Sequence, residues 1–155
     1  MAVEKTLVLL KPDALERGLI GKIISRLEEK GLKINALKML KLTKEKCKEH
    51  YAHLVSKPFY NDLEKFITSK PIIAMVVSGP DAISILRYLA GPTDAKKAPA
   101  GTIRGDFALS VQCNVIHASD SHQTAKKEIE RFFEPSEIFD WDRSFENLLY
   151  SKEEK

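Results

Sequence analysis

"NVIHASDS", Asn114 to Ser121, decides how the rest of the chain is read. Val115 and Ile116 make a short β-prone run that closes at His117. Three strong N-cap residues, Ser119, Asp120 and Ser121, follow at once, so a strand ending near the histidine and a helix starting just after it are predicted. The free backbone N–H groups of that helix start face His117 and favour anions. Seven residues beyond Ser121, Glu128 returns to the same helix face, on the flank of an apolar stripe formed by Ala125, Ile129, Phe132 and Phe133. A carboxylate partly buried there needs a donor, and His117 is the natural candidate. A histidine so oriented can act as a general base, bind metal, or attack phosphorus as a neutral imidazole. The competing reading is a strand-end histidine whose hydrogen bonds are purely structural. Metal ligation is the weaker chemistry, because no second ligand-type residue sits at useful spacing. Cys47, His50 and His53 recur at steps of three on a predicted helix, and such steps rotate around the surface instead of lining one face.

Working outward, the upstream chain alternates strands and helices. Thr6–Leu10 is an apolar strand closed by Lys11-Pro12-Asp13, since proline cannot continue a central strand. Leu19, Ile20, Ile23, Ile24 and Leu27 recur at helical spacing, and Gly31 is a plausible cap. From Lys33 to Leu42 polar and apolar residues alternate, with a slip near Ala36-Leu37 that a bulge would absorb. Thr43 opens a charged helix through His53, and another short helix is read over 61–69. Pro71–Val77 reads as a buried strand, and Gly79-Pro80-Asp81 introduces a helix carrying Ile83, Leu86 and Leu89. "GPTDAKKAPAGTIRGD", Gly91 to Asp106, is the least regular stretch, a loop long enough to be functional. After the last helix, Trp141, Phe145, Leu148, Leu149 and Tyr150 need a surface to cover, on their own domain or on a neighbouring subunit, before the solvated "SKEEK". The pattern allows a parallel sheet or a split βαβ antiparallel one.

The 155 residues fit one domain, 1–155, with 140–155 as a C-terminal extension. Hydrophobic content of 43% and charged content of 30% are those of a soluble globular protein. The longest apolar runs are too short to cross a membrane, and "MAVEKTLVLLKPD" has no cleavage pattern of a signal peptide. Two widely spaced cysteines suit a reducing cytoplasm. A net charge of +3 suits an anionic small ligand if the cations converge. Lys11 at a strand end, Arg87 near a helix end and Arg104 in the long loop are the candidates, with Thr93 adding a hydroxyl.

With these residues in place, the chain resembles the nucleoside diphosphate kinases. The resemblance runs from about Glu4 to Phe139. It rests on "TLVLLKPDALERGLIGKII", "HYAHLVSKPFY", "GPTDAKKAPAGTIRGDF" and above all "NVIHASDS". It implies a ferredoxin-like βαββαβ α+β fold with a four-stranded antiparallel sheet, helices on one face and the long loop near the active site. It also implies ping-pong transfer of the γ-phosphate of a nucleoside triphosphate, typically ATP, to a nucleoside diphosphate. In that scheme His117 is the phosphorylated nucleophile, conventionally at Nδ1. Asn114 and Lys11 contact the sugar hydroxyls, with Lys11 also near the transferring phosphate. Tyr51 sits beside that phosphate, and Phe59 stacks on the base. Arg87, Thr93 and Arg104 hold the phosphates, while Ser119 and Glu128 position the imidazole. Mg2+ arrives with the nucleotide, without a dedicated protein site. The family forms hexamers and tetramers, and the apolar tail favours the hexamer here.

Three positions depart from the family pattern. Lys57 stands where arginine is common, which removes a bidentate phosphate contact. Ala118 replaces a frequent glycine after the histidine, so its backbone must avoid glycine-only angles. Ala95 replaces a frequent proline in the long loop. The alternatives in other classes are a nucleic-acid-binding or regulatory protein and an inactive scaffold. The first lacks a paired aromatic consensus and a dense basic cluster, so no nucleic acid is required. The second is at odds with the intact set of site residues.

Overall fold

Four consecutive apolar residues, Leu7 to Leu10, are buried completely, and the molecule is arranged around them. In the computed structural model, which describes residues 3–151, they belong to β1 (Val3–Leu10), an inner strand of a four-stranded sheet. The stretch from 152 onward, most of the "SKEEK" expected in solvent, lies outside the described residues. In chain order come α1 (Pro12–Glu16), α2 (Ile20–Glu29), β2 (Lys33–Leu40), α3 (Lys44–His50) and α4 (Tyr60–Ile67). β3 (Ile72–Pro80), α5 (Ala82–Ala90), α6 (Ile103–Phe107), β4 (Ile116–Ala118) and α7 (His122–Phe132) complete them. The sheet order is β2-β3-β1-β4 and every pairing is antiparallel, which is the ferredoxin-like arrangement.

Side chains alternate across a strand, so β1 serves two cores at once. Val8 and Leu10 join Ile73, Met75 and Val77 beneath α2 and α5, where Ile23, Leu27, Leu86 and Ala90 are buried. Leu7 and Leu9 join Ile72, Ala74 and Val76 on the opposite face, under Cys47 of α3, Tyr60, Leu63 and Ile67 of α4, and Phe132 of α7. Each such large side chain contributes roughly 1.5–3 kcal/mol relative to leaving it in water. The expectation of helices on one face therefore holds only for α2 and α5. The second face is covered as well, because β1 and β3 are apolar on both sides and a bare face would expose them.

Local sequence explains the remaining boundaries. Thr43 caps α3 by accepting from Lys46 N, and Ser121 caps α7 by accepting from Thr124 N. The slip in β2 is a bulge between Ile34 and Ala36. Asn35 sits in that bulge, and its carbonyl and amide bind the Phe139 backbone, so the bulge is also where the C-terminal segment attaches. The long loop is more ordered than predicted. Thr102 caps α6, and a Cβ on Gly105 would lie 2.0 Å from the Pro99 carbonyl, so only glycine lets the chain fold back so closely there. The tail lies on its own domain: Trp141 Nε1 donates to the Ile34 carbonyl and Arg143 to that of Gly31. Phe139, Phe145 and Leu148 nevertheless stay largely exposed.

The start of α5 has an unusual cap. Asp81 precedes it in the left-handed region at φ 49° and makes no side-chain cap. Glu4 of β1 supplies the missing acceptor, taking Ile83 N at 3.1 Å through Oε2 and His122 Nε2 of α7 at 2.7 Å through Oε1. One carboxylate thus pins both helix starts to the central strand. Replacing Glu4 by alanine should lower unfolding free energy by about 1–2 kcal/mol, because Ile83 N–H loses its acceptor. Urea denaturation measures this, and a loss below a few tenths would mean that water takes over the cap.

Candidate functional site

β4 has three residues, and its position is set by the turn that leads into it. Val115 adopts φ 60°, and Ile116 N donates to the Asn114 carbonyl at 2.7 Å, which closes a γ-turn around a β-branched residue. Such a conformation costs on the order of 1–3 kcal/mol and persists only where the surroundings over-determine it. They do so here. Val115 N donates to Asp13 Oδ2 at 3.1 Å and Val115 O accepts from Lys11 N at 2.9 Å. The turn places His117 opposite Leu9 of β1 and turns Asn114 toward Lys11.

The result is a cleft of about 570 Å³. It is lined by Lys11, Tyr51, Phe59, Arg87, Thr93, Arg104, Asn114, His117 and Glu128, all of them anticipated from the sequence. Ser119 lies just behind the wall, fully buried. His117 Nε2 is 3.0–3.1 Å from both Glu128 oxygens, and Ser119 Oγ donates to Glu128 Oε2 at 2.6 Å. A carboxylate only accepts, so Nε2 carries a proton, and in the neutral imidazole Nδ1 is then the nitrogen with the lone pair. Burial pushes the Glu128 carboxyl up, but the hydrogen bonds from His117 and Ser119 outweigh it and hold the group below its usual range.

Lys11 and Arg104 are held by neutral oxygen acceptors. Lys11 Nζ donates to Asn114 Oδ1 at 2.6 Å and to the Gln112 carbonyl at 3.3 Å. Burial, and next the charge of Arg104, pull its pKa down to about 8. Arg104 reaches the carbonyls of Gly91 and Ile116 at 2.7 and 2.6 Å, and burial brings it down to about 10. Asn114 spends its amide on the carbonyls of Thr93 and Val111, so within the protein it braces Lys11 and the long loop. The Tyr51 hydroxyl is buried without a partner, and burial keeps it protonated, a donor held in reserve. Phe59 is half exposed at the cleft edge. Of the three departures, Lys57 does not line the cleft, and Ala95 anchors the long loop by burying its side chain in the first core. Ala118 pairs with Val8 at an ordinary negative φ, so no glycine is needed.

Among the cleft residues that were not anticipated, the one nearest the reactive histidine is His50. His50 is buried against His117 with ring centroids 4.7 Å apart, and burial brings its pKa down to about 3. On α3 alone it belongs to a rotating, solvated series. Only the packing of α3 against α7 brings it here, and no local signal announces that.

A histidine with one ring nitrogen fixed by a carboxylate and the other turned to a cleft bordered by buried cations is suited to phosphoryl transfer on a ferredoxin-like fold. Comparison with known proteins agrees. The chain belongs to the nucleoside diphosphate kinase family, whose model matches residues 4–138. It is 57% identical over 141 residues to the nucleoside diphosphate kinase of Staphylothermus marinus, covering 91% of this chain and 100% of that one. Among solved structures, that of a halophilic nucleoside diphosphate kinase from Halobacterium salinarum in complex with CDP superposes with a TM-score of 0.94. Identity there is 45%, covering 96% of this chain and 99% of that one. A transition-state mimic of the Borrelia burgdorferi enzyme with vanadate and ADP gives 0.89 at 40% identity, covering 94% and 96%.

Lys11 sets a pH test. Its lowered pKa means that the free protein loses this charge as pH rises through about 8, whereas a bound polyphosphate favours the protonated form. Binding of a nucleoside diphosphate near pH 9 should therefore be accompanied by proton uptake approaching one per site. Calorimetry in two buffers of different ionisation enthalpy measures it. Lys11→Met should abolish the uptake, and equal uptake in that variant would place the proton elsewhere.

Proposed function

We propose that this chain transfers the γ-phosphate of a nucleoside triphosphate to a nucleoside diphosphate through a phosphohistidine at His117. The observation that carries the reading is the commitment of Nε2 to Glu128 while Nδ1 stays free in a cation-bordered cleft. In the first half-reaction the Nδ1 lone pair attacks the γ-phosphorus in line, and the nucleoside diphosphate leaves. The second half-reaction reverses this with another diphosphate. As the ring becomes positive, Glu128 stabilises it, with Ser119 fixing the carboxylate. Lys11, Arg104 and Arg87 neutralise the phosphates, Thr93 contributes its hydroxyl, and Tyr51 donates toward the transferring group. Phe59 gives the base a stacking face, and Lys11 meets the sugar hydroxyls. Lys11 is held there by Asn114, which the resemblance had given a sugar contact of its own but whose amide and oxygen are engaged within the protein.

The donor set of the cleft bears on Mg2+. Among the described residues its carboxylates are Asp120 and Glu128, and Glu128 is already engaged. That fits a cation carried by the nucleotide phosphates, with Asp120 the residue able to meet its water shell. When bound, Mg2+ supplies charge neutralisation on the phosphates.

We further read residues 1–155 as one such domain, in a cytoplasmic protein. Two free cysteines suit a reducing compartment, and among the described residues no helix is long and apolar enough to cross a membrane. Self-association into a homo-oligomer is supported by exposed Leu37 and Met39 on the edge strand β2 and by exposed Leu109 and Val111. The hexamer is favoured before a tetramer for the extra contact surface of the apolar tail, where Phe145 and Leu148 stay exposed.

Incubation with Mg2+ and labelled ATP, followed by intact-mass measurement, should add one acid-labile phosphate to the wild-type chain and none to His117→Ala. Glu128→Gln should slow single-turnover labelling roughly 10- to 10²-fold with nearly unchanged nucleotide affinity, because the carboxylate serves positioning. Labelling of His117→Ala would remove the histidine from its role, and an unchanged rate in Glu128→Gln would return that carboxylate to a structural one.

A further inference from the structure

His50 presents one satisfied and one unsatisfied ring nitrogen in the cleft wall. Nδ1 accepts from Arg131 at 3.2 Å, and Nε2 is buried without a partner. Nδ1 also stands 3.8 Å from Glu128 Oε1, and His117 Nε2 is 3.0 Å from Glu128 Oε2. One donor atom from each of His50, His117 and Glu128 thus lies within 4.8 Å of the other two. The three come from α3, β4 and α7, which is why sequence spacing on any single element shows no ligand set.

Two imidazoles and one carboxylate are a zinc donor set. Bonds of about 2.0–2.1 Å in tetrahedral geometry put ligand atoms about 3.4 Å apart. The two Glu128 separations bracket that figure and the His50–His117 separation is within 4.8 Å, so shifts of about 1 Å or slightly more in the side chains would close the triangle. Nitrogen donors select Zn2+ over Mg2+, which asks for six oxygens.

We propose that His50, His117 and Glu128 form a Zn2+ site in the unphosphorylated protein, and that its occupation switches phosphoryl transfer off. Zn2+ binds the lone pair of His117 Nε2, and a neutral imidazole ligated there carries its proton on Nδ1. The proton moves from Nε2 to Nδ1, His117 stays neutral, and the lone pair needed for attack on phosphorus is lost. Arg131 opposes binding, since its guanidinium must leave His50 Nδ1 while keeping Glu49, 2.9 Å from its Nε. The inhibition rests on His117 being the nucleophile, and the binding does not.

The test titrates chelator-stripped protein with ZnCl2 by calorimetry, without Mg2+ or nucleotide. One Zn2+ per chain is expected. His50→Ala should weaken binding by roughly 10²-fold or more, and Arg131→Met should tighten it roughly 10-fold, a gain that a damaged fold does not produce. X-ray absorption should show nitrogen and oxygen neighbours at about 2.0–2.2 Å and no sulfur at about 2.3 Å, which separates this site from Cys47 or Cys113. Labelling of His117 from MgATP should fall as Zn2+ saturates the wild type, relative to a zinc-free control. Failure to bind Zn2+, equal affinity in His50→Ala, or Zn–S distances would overturn the site. Undiminished labelling at saturating Zn2+ would overturn the switch, and absent labelling in the zinc-free control would instead overturn the kinase reading.

Discussion

Glu128 accepts two hydrogen bonds at once, from His117 Nε2 and from Ser119 Oγ, and with them it fixes where one proton sits. The carboxylate is buried, so it needs those donors, and the imidazole is thereby confined to the tautomer whose Nδ1 is free. Much of the architecture supports this contact. β4 pairs with β1 only long enough to seat His117 opposite Leu9, and the Ser119 backbone and hydroxyl are both tied to Leu7. The apolar stripe of α7 packs Phe132 into the second core, and that docking sets the height of Glu128. Without the second covered face of the sheet there would be nothing to hold α7 in register.

The cations obey a complementary constraint. Lys11 and Arg104 are buried, and burial of charge weakens their hold on protons. Their charges are kept in place by neutral acceptors, carbonyls and the Asn114 side-chain oxygen, and among the described residues no carboxylate hydrogen-bonds to either side chain. A full salt bridge would cancel the field that an incoming polyphosphate needs. The cleft is thus pre-organised and short of negative charge, which favours a ligand able to supply it.

Local features of the sequence carried much of this. The caps at Thr43 and Ser121, the bulge in β2, and the pairing of His117 with Glu128 all follow from short-range chemistry, since each depends on residues close along the chain or on one helix face. What escaped was tertiary. The two-sided cover of the sheet depends on how helices α3, α4 and α7 pack, which strand patterns do not specify. The order within the long loop depends on the close approach of Gly105 to Pro99. His50 reaches the cleft because two helices from distant parts of the chain meet there, and Asn114 proves to be a brace because its partners, Thr93 and Lys11, are far away in sequence.

Phosphoryl transfer through His117 depends on which of its ring nitrogens is free. Two-bond 1H–15N correlation spectra of the protein labelled with 15N-histidine, recorded before and after phosphorylation by MgATP, identify the nitrogen that takes the phosphoryl group. The geometry requires the proton on Nε2 in the free protein and phosphorus on Nδ1 in the phosphorylated form. A phosphoryl group on Nε2, or a free protein whose His117 carries its proton on Nδ1, would contradict it.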